Sequence, residues 1–184
     1  PQPHENPELL GQEAAQAALV RAEQSGRMPH GWLFKGRFGT GKATLAYRFA
    51  RYLLAGGGDT LALPADHPVS GPVAAGAHPD LVTVAPKDPK TAGKRVRAEI
   101  DVERIREAIA AMHRTAVGGH RVLVVDQAHL MNPAAANALL KTLEEPGPGA
   151  VVILAAESAE RMPATIRSRV AQLRLEPVAE ATIV

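Results

Sequence analysis

The sequence predicts an α/β fold with a parallel sheet of about five strands flanked by helices. Short apolar runs, which suit strands buried on both faces, alternate with segments whose apolar residues recur at helical spacing. This alternation favours right-handed crossovers between parallel strands. A glycine-rich loop over residues 36–41 follows the first apolar run and precedes a helix. Strand, loop and helix occur in this order in a phosphate-binding loop.

The predicted elements can be assigned in chain order from these patterns. Helices are expected over residues 12–25 and 42–55, and two more begin at a capping Asp101 and at Pro133. The predicted strands cover residues 31–35, 80–85, 121–126, 151–155 and 171–175. No internal repeat is visible in the sequence, so one domain with one sheet is expected.

The composition is that of a globular domain with a sizeable core. The chain has 184 residues, of which 46% are hydrophobic and 22% charged. A formal net charge of +2 is too small to predict nucleic-acid binding by itself. The absence of cysteine excludes disulfides and thiolate metal sites and is compatible with a reducing compartment. No apolar run approaches the ~18 residues of a membrane helix, so we expect a cytoplasmic protein without membrane contact.

Two segments lack periodicity. Residues 56–79 are rich in Gly, Pro and Ala, which predicts a surface insertion outside the core. His67 and His78 lie in it without acidic or Cys partners at ligand spacing, so we interpret them as ordinary loop residues. Residues 86–97 carry five basic side chains. We interpret them as a solvated loop rather than a phosphate-backbone contact, because no aromatic residue is interleaved to stack on bases.

The glycine loop is the candidate phosphate site. Its glycines allow successive N–H groups to converge on an anion, and the helix N-terminus and the Lys42 ammonium add positive charge. Asp126, at the tip of the third strand, is expected at the same edge of the sheet, where it could hold Mg²⁺ or merely cap the next turn. The predicted nucleotide-binding residues are Gly36, Gly39, Thr40, Gly41, Lys42, Ala43, Thr44 and Asp126.

Three groups that a phosphate-loop hydrolase needs are missing from the sequence. Ala43 stands where a Ser or Thr hydroxyl would ligate Mg²⁺. Gln127 stands where a motor ATPase of this kind would carry Glu, and the fourth strand ends in Ala155-Ala156 without a polar side chain for the terminal phosphate. We therefore expect ATP binding without efficient hydrolysis and poor support for Mg²⁺. The sequence leaves open whether nucleotide binds at all.

An arginine beyond the fourth strand is the candidate catalytic group. Ser168 and Arg169 end a compact Thr-Ile-Arg-Ser-Arg turn. A surface arginine is usually only solvated. In ring-shaped ATPases, however, such an arginine enters the site of the neighbouring subunit and accelerates hydrolysis there by about 10³–10⁵-fold.

Five segments carry a family resemblance. They are HGWLF (30–34), HPDL (78–81), RVLVVDQAH (121–129), NALLKTLEEP (137–146) and PATIRSR (163–169). In these segments the chain resembles the AAA+ clamp-loader subunits of bacterial DNA polymerase III, the delta-prime type in particular. The similarity extends from about residue 4 to residue 177, and the run over 137–146 is the most specific.

The resemblance implies an AAA+ P-loop domain over residues 1–177, with residues 178–184 starting a truncated lid, so that the chain is an N-terminal fragment. It also implies a hetero-pentamer with gamma/tau and delta subunits that loads the sliding clamp on primer-template DNA. Delta-prime-type subunits hydrolyse ATP poorly or not at all, and a Ser-Arg-Cys motif supplies an arginine finger in trans. Ser168-Arg169 matches that motif, with Val170 in place of Cys.

The zinc module of many relatives is not expected here, because its four cysteines are missing from residues 56–79. Two alternatives remain at this point. The chain could be a gamma/tau-like motor or another AAA+ ATPase that hydrolyses ATP at Lys42, or it could be a small-molecule kinase that uses the same loop. The kinase would need an acceptor-binding domain, which the sequence does not reveal.

Overall fold

The computed structural model describes residues 2–86, 98–114 and 118–178. Five strands alternate with helices along this part of the chain. The strands are β1 (Gly31–Lys35), β2 (Leu81–Val84), β3 (Arg121–Val125), β4 (Ala150–Ala156) and β5 (Ala171–Arg174). The helices are α1 (Glu13–Gln24), α2 (Lys42–Leu54), α3 (Ser70–Ala74), α4 (Val102–Met112), α5 (Pro133–Glu144) and α6 (Ala164–Arg167).

The five strands form one parallel sheet in the order β2-β3-β4-β1-β5. Leu33 of β1 aligns with Leu154 of β4 on one side and with Gln172 of β5 on the other. The order places β4 between β1 and β3, so the residues after these three strands meet at one edge. The predicted five-stranded parallel α/β fold is confirmed.

Helices cover both faces of this sheet, which is why its central strands are apolar throughout. Every residue of β3 and β4 is buried. Side chains alternate between the two faces at the two-residue period of a strand. Leu123 packs in a cluster with Ile105 of α4 and Leu139 of α5. On the opposite face, Phe34 and Phe49 pack in a cluster that α1 and α2 cover.

The predicted start signals of two helices are confirmed. The Asp101 side chain accepts a hydrogen bond from the Arg104 N–H at 3.0 Å, which caps α4. Asn132 caps α5 in the same way, with the Ala135 N–H at 2.8 Å, and Pro133 occupies the first turn. These side chains satisfy backbone donors that have no partner within the helix.

The prediction that residues 56–79 lie outside the core is wrong for part of that segment. Leu61 is 2% exposed and packs against the apolar face of α2, and Val73 of the short helix α3 is fully buried. The Nδ1 atoms of His67 and His78 accept nearby backbone N–H groups, at 3.2 and 3.1 Å, as expected of loop residues. The basic residues predicted to form a solvated loop lie at 87–97, outside the described residues.

No helix in the described ranges has both the length and the apolar character needed to cross a membrane.

Candidate nucleotide-binding site

The glycine loop follows β1 and turns directly into α2, as the sequence predicts. Gly39 and Gly41 have φ values of 80° and 85°, a left-handed region that disfavours other residues. At Gly36 the restriction is steric, because a Cβ atom would lie 2.7 Å from the Leu175 carbonyl oxygen. The loop therefore depends on all three glycines for its path.

Thr40 and Lys42 hold the loop together through hydrogen bonds to its own carbonyl groups. The Thr40 hydroxyl, on a residue only 4% exposed, donates to the Arg37 carbonyl at 2.9 Å. The Lys42 ammonium donates to the Gly36 and Arg37 carbonyls, each at 2.7 Å. Burial lowers the pKa of Lys42, although the carboxylates of Glu157 and Asp126 oppose this shift.

A cavity of about 320 Å³ lies beside the loop, which is within the range of small-molecule sites. It brings together most of the predicted cradle with the aspartate that follows the third strand. The predicted residues that line it are Gly39, Gly41, Lys42, Ala43, Thr44 and Asp126. Gly36 and Thr40 shape the loop from outside this lining, and Pro3 of the N-terminal segment also lines the cavity.

Asp126 follows β3 and faces the cavity across from Lys42. Its Oδ1 atom accepts the Gln127 N–H at 2.8 Å, so it also caps the following turn. Burial raises the pKa of Asp126, while the Gln127 N–H, Lys42 and His129 act in the opposite direction. The contact with the Gln127 N–H agrees with the capping interpretation of Asp126, and its role in holding Mg²⁺ stays a prediction.

Sequence reasoning missed two residues that line the cavity, Glu157 and His129. Glu157 comes directly after β4, one residue beyond the Ala155-Ala156 pair on which the sequence argument stopped. Its carbonyl oxygen accepts the Gly36 N–H at 3.2 Å, so its backbone lies beside the loop. The fourth strand does end in Ala155-Ala156, as the sequence indicates, and the residue that follows places a carboxylate at that edge. The sequence did contain a signal for Glu157, since it is a polar residue directly after an apolar strand.

His129 lies in the short 3₁₀ turn Ala128–Leu130. Burial lowers its pKa, and the positive charge of Arg161 acts in the same direction, so the neutral imidazole is favoured. Its Nδ1 atom is buried and has no hydrogen-bond partner in the part of the chain that the structure describes. A neutral ring next to Lys42 adds no charge to the cavity.

The cavity fits phosphate groups better than it fits a metal ion. Loop N–H groups, the α2 N-terminus and the Lys42 ammonium supply the positive potential that phosphates require. Ala43 supplies no oxygen ligand, and nowhere in the described ranges do three His, Asp or Glu side chains form a group that could hold a metal. The chain's own side chains thus leave the coordination of Mg²⁺ incomplete.

Ser168 and Arg169 lie far from this cavity. The Arg169 backbone packs against Gly31, the first residue of β1: a Cβ atom on Gly31 would lie 3.1 Å from the Arg169 carbonyl oxygen. Arg169 therefore lies beside the N-terminal end of β1, whereas the phosphate loop follows the C-terminal end of that strand. The exposed guanidinium forms an ion pair with Glu144 at 2.6 Å and donates to the Thr165 carbonyl at 2.8 Å. The Ser168 hydroxyl donates to the same carbonyl at 3.0 Å.

Comparison with known proteins connects this geometry to a family. A family model described as "DNA polymerase III, delta subunit" matches residues 11–179. The chain belongs to this DNA polymerase III delta-subunit family. It is 37% identical over 158 residues to DNA polymerase III subunit delta' of Escherichia coli (strain K12), a match that covers 82% of the chain and 43% of that protein.

Other members of the DNA polymerase III group are also similar. The delta' subunit of Pseudomonas aeruginosa (strain PAO1) is 35% identical over 144 residues, covering 78% of the chain and 42% of that protein. Subunit tau/gamma of Haemophilus influenzae is 30% identical over 176 residues, covering 96% of the chain and 24% of that protein. The predicted resemblance to the delta-prime type is confirmed. The chain spans less than half the length of these relatives.

Solved structures support the fold of this delta-family chain. A gamma subunit-related protein of DNA polymerase III from Thermotoga maritima has a TM-score of 0.64 at 20% identity, covering 89% of the chain and 46% of that protein. The RuvB Holliday junction branch migration motor of Thermotoga maritima has a TM-score of 0.60 at 18% identity, covering 99% and 52%. The predicted AAA+ P-loop fold is confirmed.

Proposed function

We propose that this chain is the P-loop domain of a delta-prime-like clamp-loader subunit that helps load the sliding clamp on primed DNA during replication. In this proposal the chain binds nucleotide without hydrolysing it efficiently and supplies Arg169 as an arginine finger to a neighbouring subunit. The observation that carries the proposal is the match to delta-subunit relatives across residues 11–179, combined with an arginine that faces away from the chain's own phosphate loop.

Weak hydrolysis is supported by the residues around the loop. Ala43 cannot ligate a metal ion, and the exposed Gln127 cannot accept a proton from water. Glu157 places a negative charge where a hydrolase needs a group that attracts the terminal phosphate. Each of these three residues raises the activation barrier for phosphoryl transfer. The loop that binds phosphates is retained.

The role in trans is supported by the position of Arg169. Its guanidinium is exposed on the surface next to the N-terminal end of β1, so it cannot serve the cavity at the other end of that strand. The ion pair with Glu144 is partly exposed, and pairs of this kind contribute only about 0–1 kcal/mol. Arg169 can therefore exchange Glu144 for a phosphate oxygen at little cost.

The partners in this proposal are gamma/tau and delta subunits in a hetero-pentamer. The sliding clamp and primer-template DNA are contacted through the complex. The compartment is the cytoplasm, where a chain without cysteine has no need of oxidising conditions. The similarity to DNA polymerase III subunits delta' and tau/gamma supports these assignments.

The test is ATP hydrolysis by the loader reconstituted from this subunit in its full length and its gamma/tau and delta partners. Arg169→Ala should lower the DNA- and clamp-stimulated rate at least tenfold at the adjoining site, without changing nucleotide affinity of the isolated subunit. Arg106→Ala, an exposed arginine on α4 that pairs with Glu103, is the matched control and should leave the rate unchanged.

Two results would contradict the proposal. An unchanged hydrolysis rate of the loader with Arg169→Ala would show that Arg169 is not an arginine finger. Brisk metal-dependent phosphate release by the isolated subunit, abolished by Lys42→Ala, would instead identify it as a motor of the gamma/tau kind.

A further inference from the structure

We propose that Glu157 makes the phosphate-loop cavity select nucleoside diphosphates over triphosphates. The inference rests on the nucleotide binding included in the proposed function and adds the class of nucleotide that the subunit holds. It follows from where the Glu157 carboxylate lies and from the charges around it.

The position of Glu157 follows from the sheet order. Because β4 lies between β1 and β3, the residue after β4 stands between the phosphate loop after β1 and Asp126 after β3. The Glu157 carbonyl oxygen, 3.2 Å from the Gly36 N–H, fixes this residue against the loop. Its side chain lines the cavity together with Lys42 and Asp126. Glu157 is therefore next to the place where phosphates would lie.

The Glu157 side chain is paired with a nearby arginine. The Glu157 Oε2 atom lies 2.5 Å from the guanidinium of Arg161, four residues further along the chain. Arg161 itself does not line the cavity. Arg161 therefore offsets part of the negative charge of Glu157.

The charges that line the cavity do not favour a highly charged ligand. Lys42 is the cation of the lining, whereas Asp126 and Glu157 are both carboxylates and His129 is favoured in its neutral form. The side chains of the lining thus carry a formal charge of about −1, which offsets part of the positive potential that the loop N–H groups and the α2 N-terminus supply. The loop N–H groups and Lys42 can still neutralise much of the negative charge of a diphosphate.

A third phosphate would bring further negative charge toward the two carboxylates. A metal ion would normally neutralise that charge, but Ala43 leaves its coordination incomplete. With an effective dielectric constant of about 20, one unit charge within several ångströms changes a binding constant by roughly tenfold or more. A diphosphate brings less negative charge toward the carboxylates and so avoids part of this penalty.

The experiment measures dissociation constants of ADP and ATP for the purified subunit by competition with a fluorescent ADP analogue, with and without Mg²⁺. We expect ADP to bind about tenfold more tightly than ATP. Glu157→Gln should reduce the difference to about twofold by improving ATP binding. Arg161→Gln retains the Glu157 carboxylate but removes the offsetting positive charge, so it should widen the difference.

Glu160→Gln is the matched control. Glu160 lies in the same connection and undergoes the same change of charge, but it does not line the cavity, so the ratio of the two constants should stay that of the parent protein. Because the two test variants shift the ratio in opposite directions, a general loss of folding cannot imitate the result. Circular dichroism and a melting curve of each variant confirm that the fold is retained.

Four outcomes would overturn the inference. In the first, ATP binds the parent protein as tightly as ADP. In the second, Glu157→Gln leaves the ratio of the ADP and ATP dissociation constants unchanged, and in the third neither nucleotide binds. In the fourth, Mg²⁺ strengthens ATP binding in the parent protein but not in Glu157→Gln, which would make Glu157 a metal ligand. None of these bears on the arginine finger, because that role is read from the hydrolysis rate of the assembled loader with Arg169→Ala.

Discussion

The Arg121 guanidinium lies 3.0 Å from the Asp80 carboxylate, and both residues are almost fully buried, at 5% and 1% exposure. The guanidinium also donates to the Ala111 carbonyl at 2.6 Å. The second carboxylate oxygen of Asp80 accepts the Gly118 N–H at 3.1 Å. The pair therefore joins the starts of β2 and β3 to the end of α4, at the edge of the sheet opposite the phosphate loop.

Arg121→Met should destabilise the protein by about 3–5 kcal/mol. A buried charge that loses its partner keeps its desolvation cost without the compensating attraction. Urea unfolding measures this as a fall in the free energy of unfolding. Arg106→Met is the control, since Arg106 forms an exposed pair with Glu103 at 2.7 Å and should cost at most about 1 kcal/mol.

The double variant Asp80→Asn with Arg121→Met separates charge from packing. It should recover part of the lost stability, because no unpaired charge remains buried. If the single change costs no more than Arg106→Met, the Asp80–Arg121 pair does not contribute as its burial indicates.

Leu61→Ala should cost about 2–5 kcal/mol, although the residue lies in a segment without sequence periodicity. Its side chain is 2% exposed and packs with the apolar cluster of α1 and α2, so truncation leaves a cavity. Leu63→Ala is the control, because Leu63 is only partly buried at the rim of the same cluster. Denaturant unfolding should show a clearly smaller loss in the free energy of unfolding for Leu63→Ala than for Leu61→Ala. Equal losses would mean that residues 56–79 contribute no more than surface packing.

Leu61 illustrates why part of the fold could not be predicted from the sequence. The strand Arg121–Val125 and the helix from Pro133 were predictable, because a continuous apolar run and a capping signal are local properties of the chain. Leu61 lies in a segment rich in Gly, Pro and Ala, and its burial depends on how the connection folds back onto α2. The hydrophobic periodicity of a sequence does not predict a contact of this kind.

The candidate site divides in the same way. The glycine loop, Lys42 and Asp126 were predictable, because parallel strands bring their C-terminal ends to one edge. Glu157 was missed because its place in the cavity lining depends on where β4 ends and on which way the next residue faces. The sequence pointed to Ser168-Arg169 through a motif, but only the structure shows that Arg169 lies at the N-terminal end of β1.

Tyr52 of α2 forms a buried polar contact with helix α1 and with the connection that follows α2. Its hydroxyl lies 2.8 Å from the Glu23 carboxylate and 2.8 Å from the Gly58 carbonyl. Burial, together with the hydrogen bond to Glu23, raises the pKa of Tyr52 to about 12. Above its usual pKa of 10.0 the phenol therefore keeps its proton in the folded protein but loses it in the unfolded chain.

Tyr52→Phe should cost about 1 kcal/mol near pH 8, where the lost hydrogen bond is fully formed. The folded state binds the extra proton, so the contribution of Tyr52 is complete below about pH 10 and is lost as the pH rises toward about 12. Urea unfolding of both proteins at several alkaline pH values should show their difference shrinking over that window. Absorbance titration in a Tyr47→Phe background isolates Tyr52, the second of two tyrosines, and an unshifted phenol titration there would show that Tyr52 is not held as its contacts indicate.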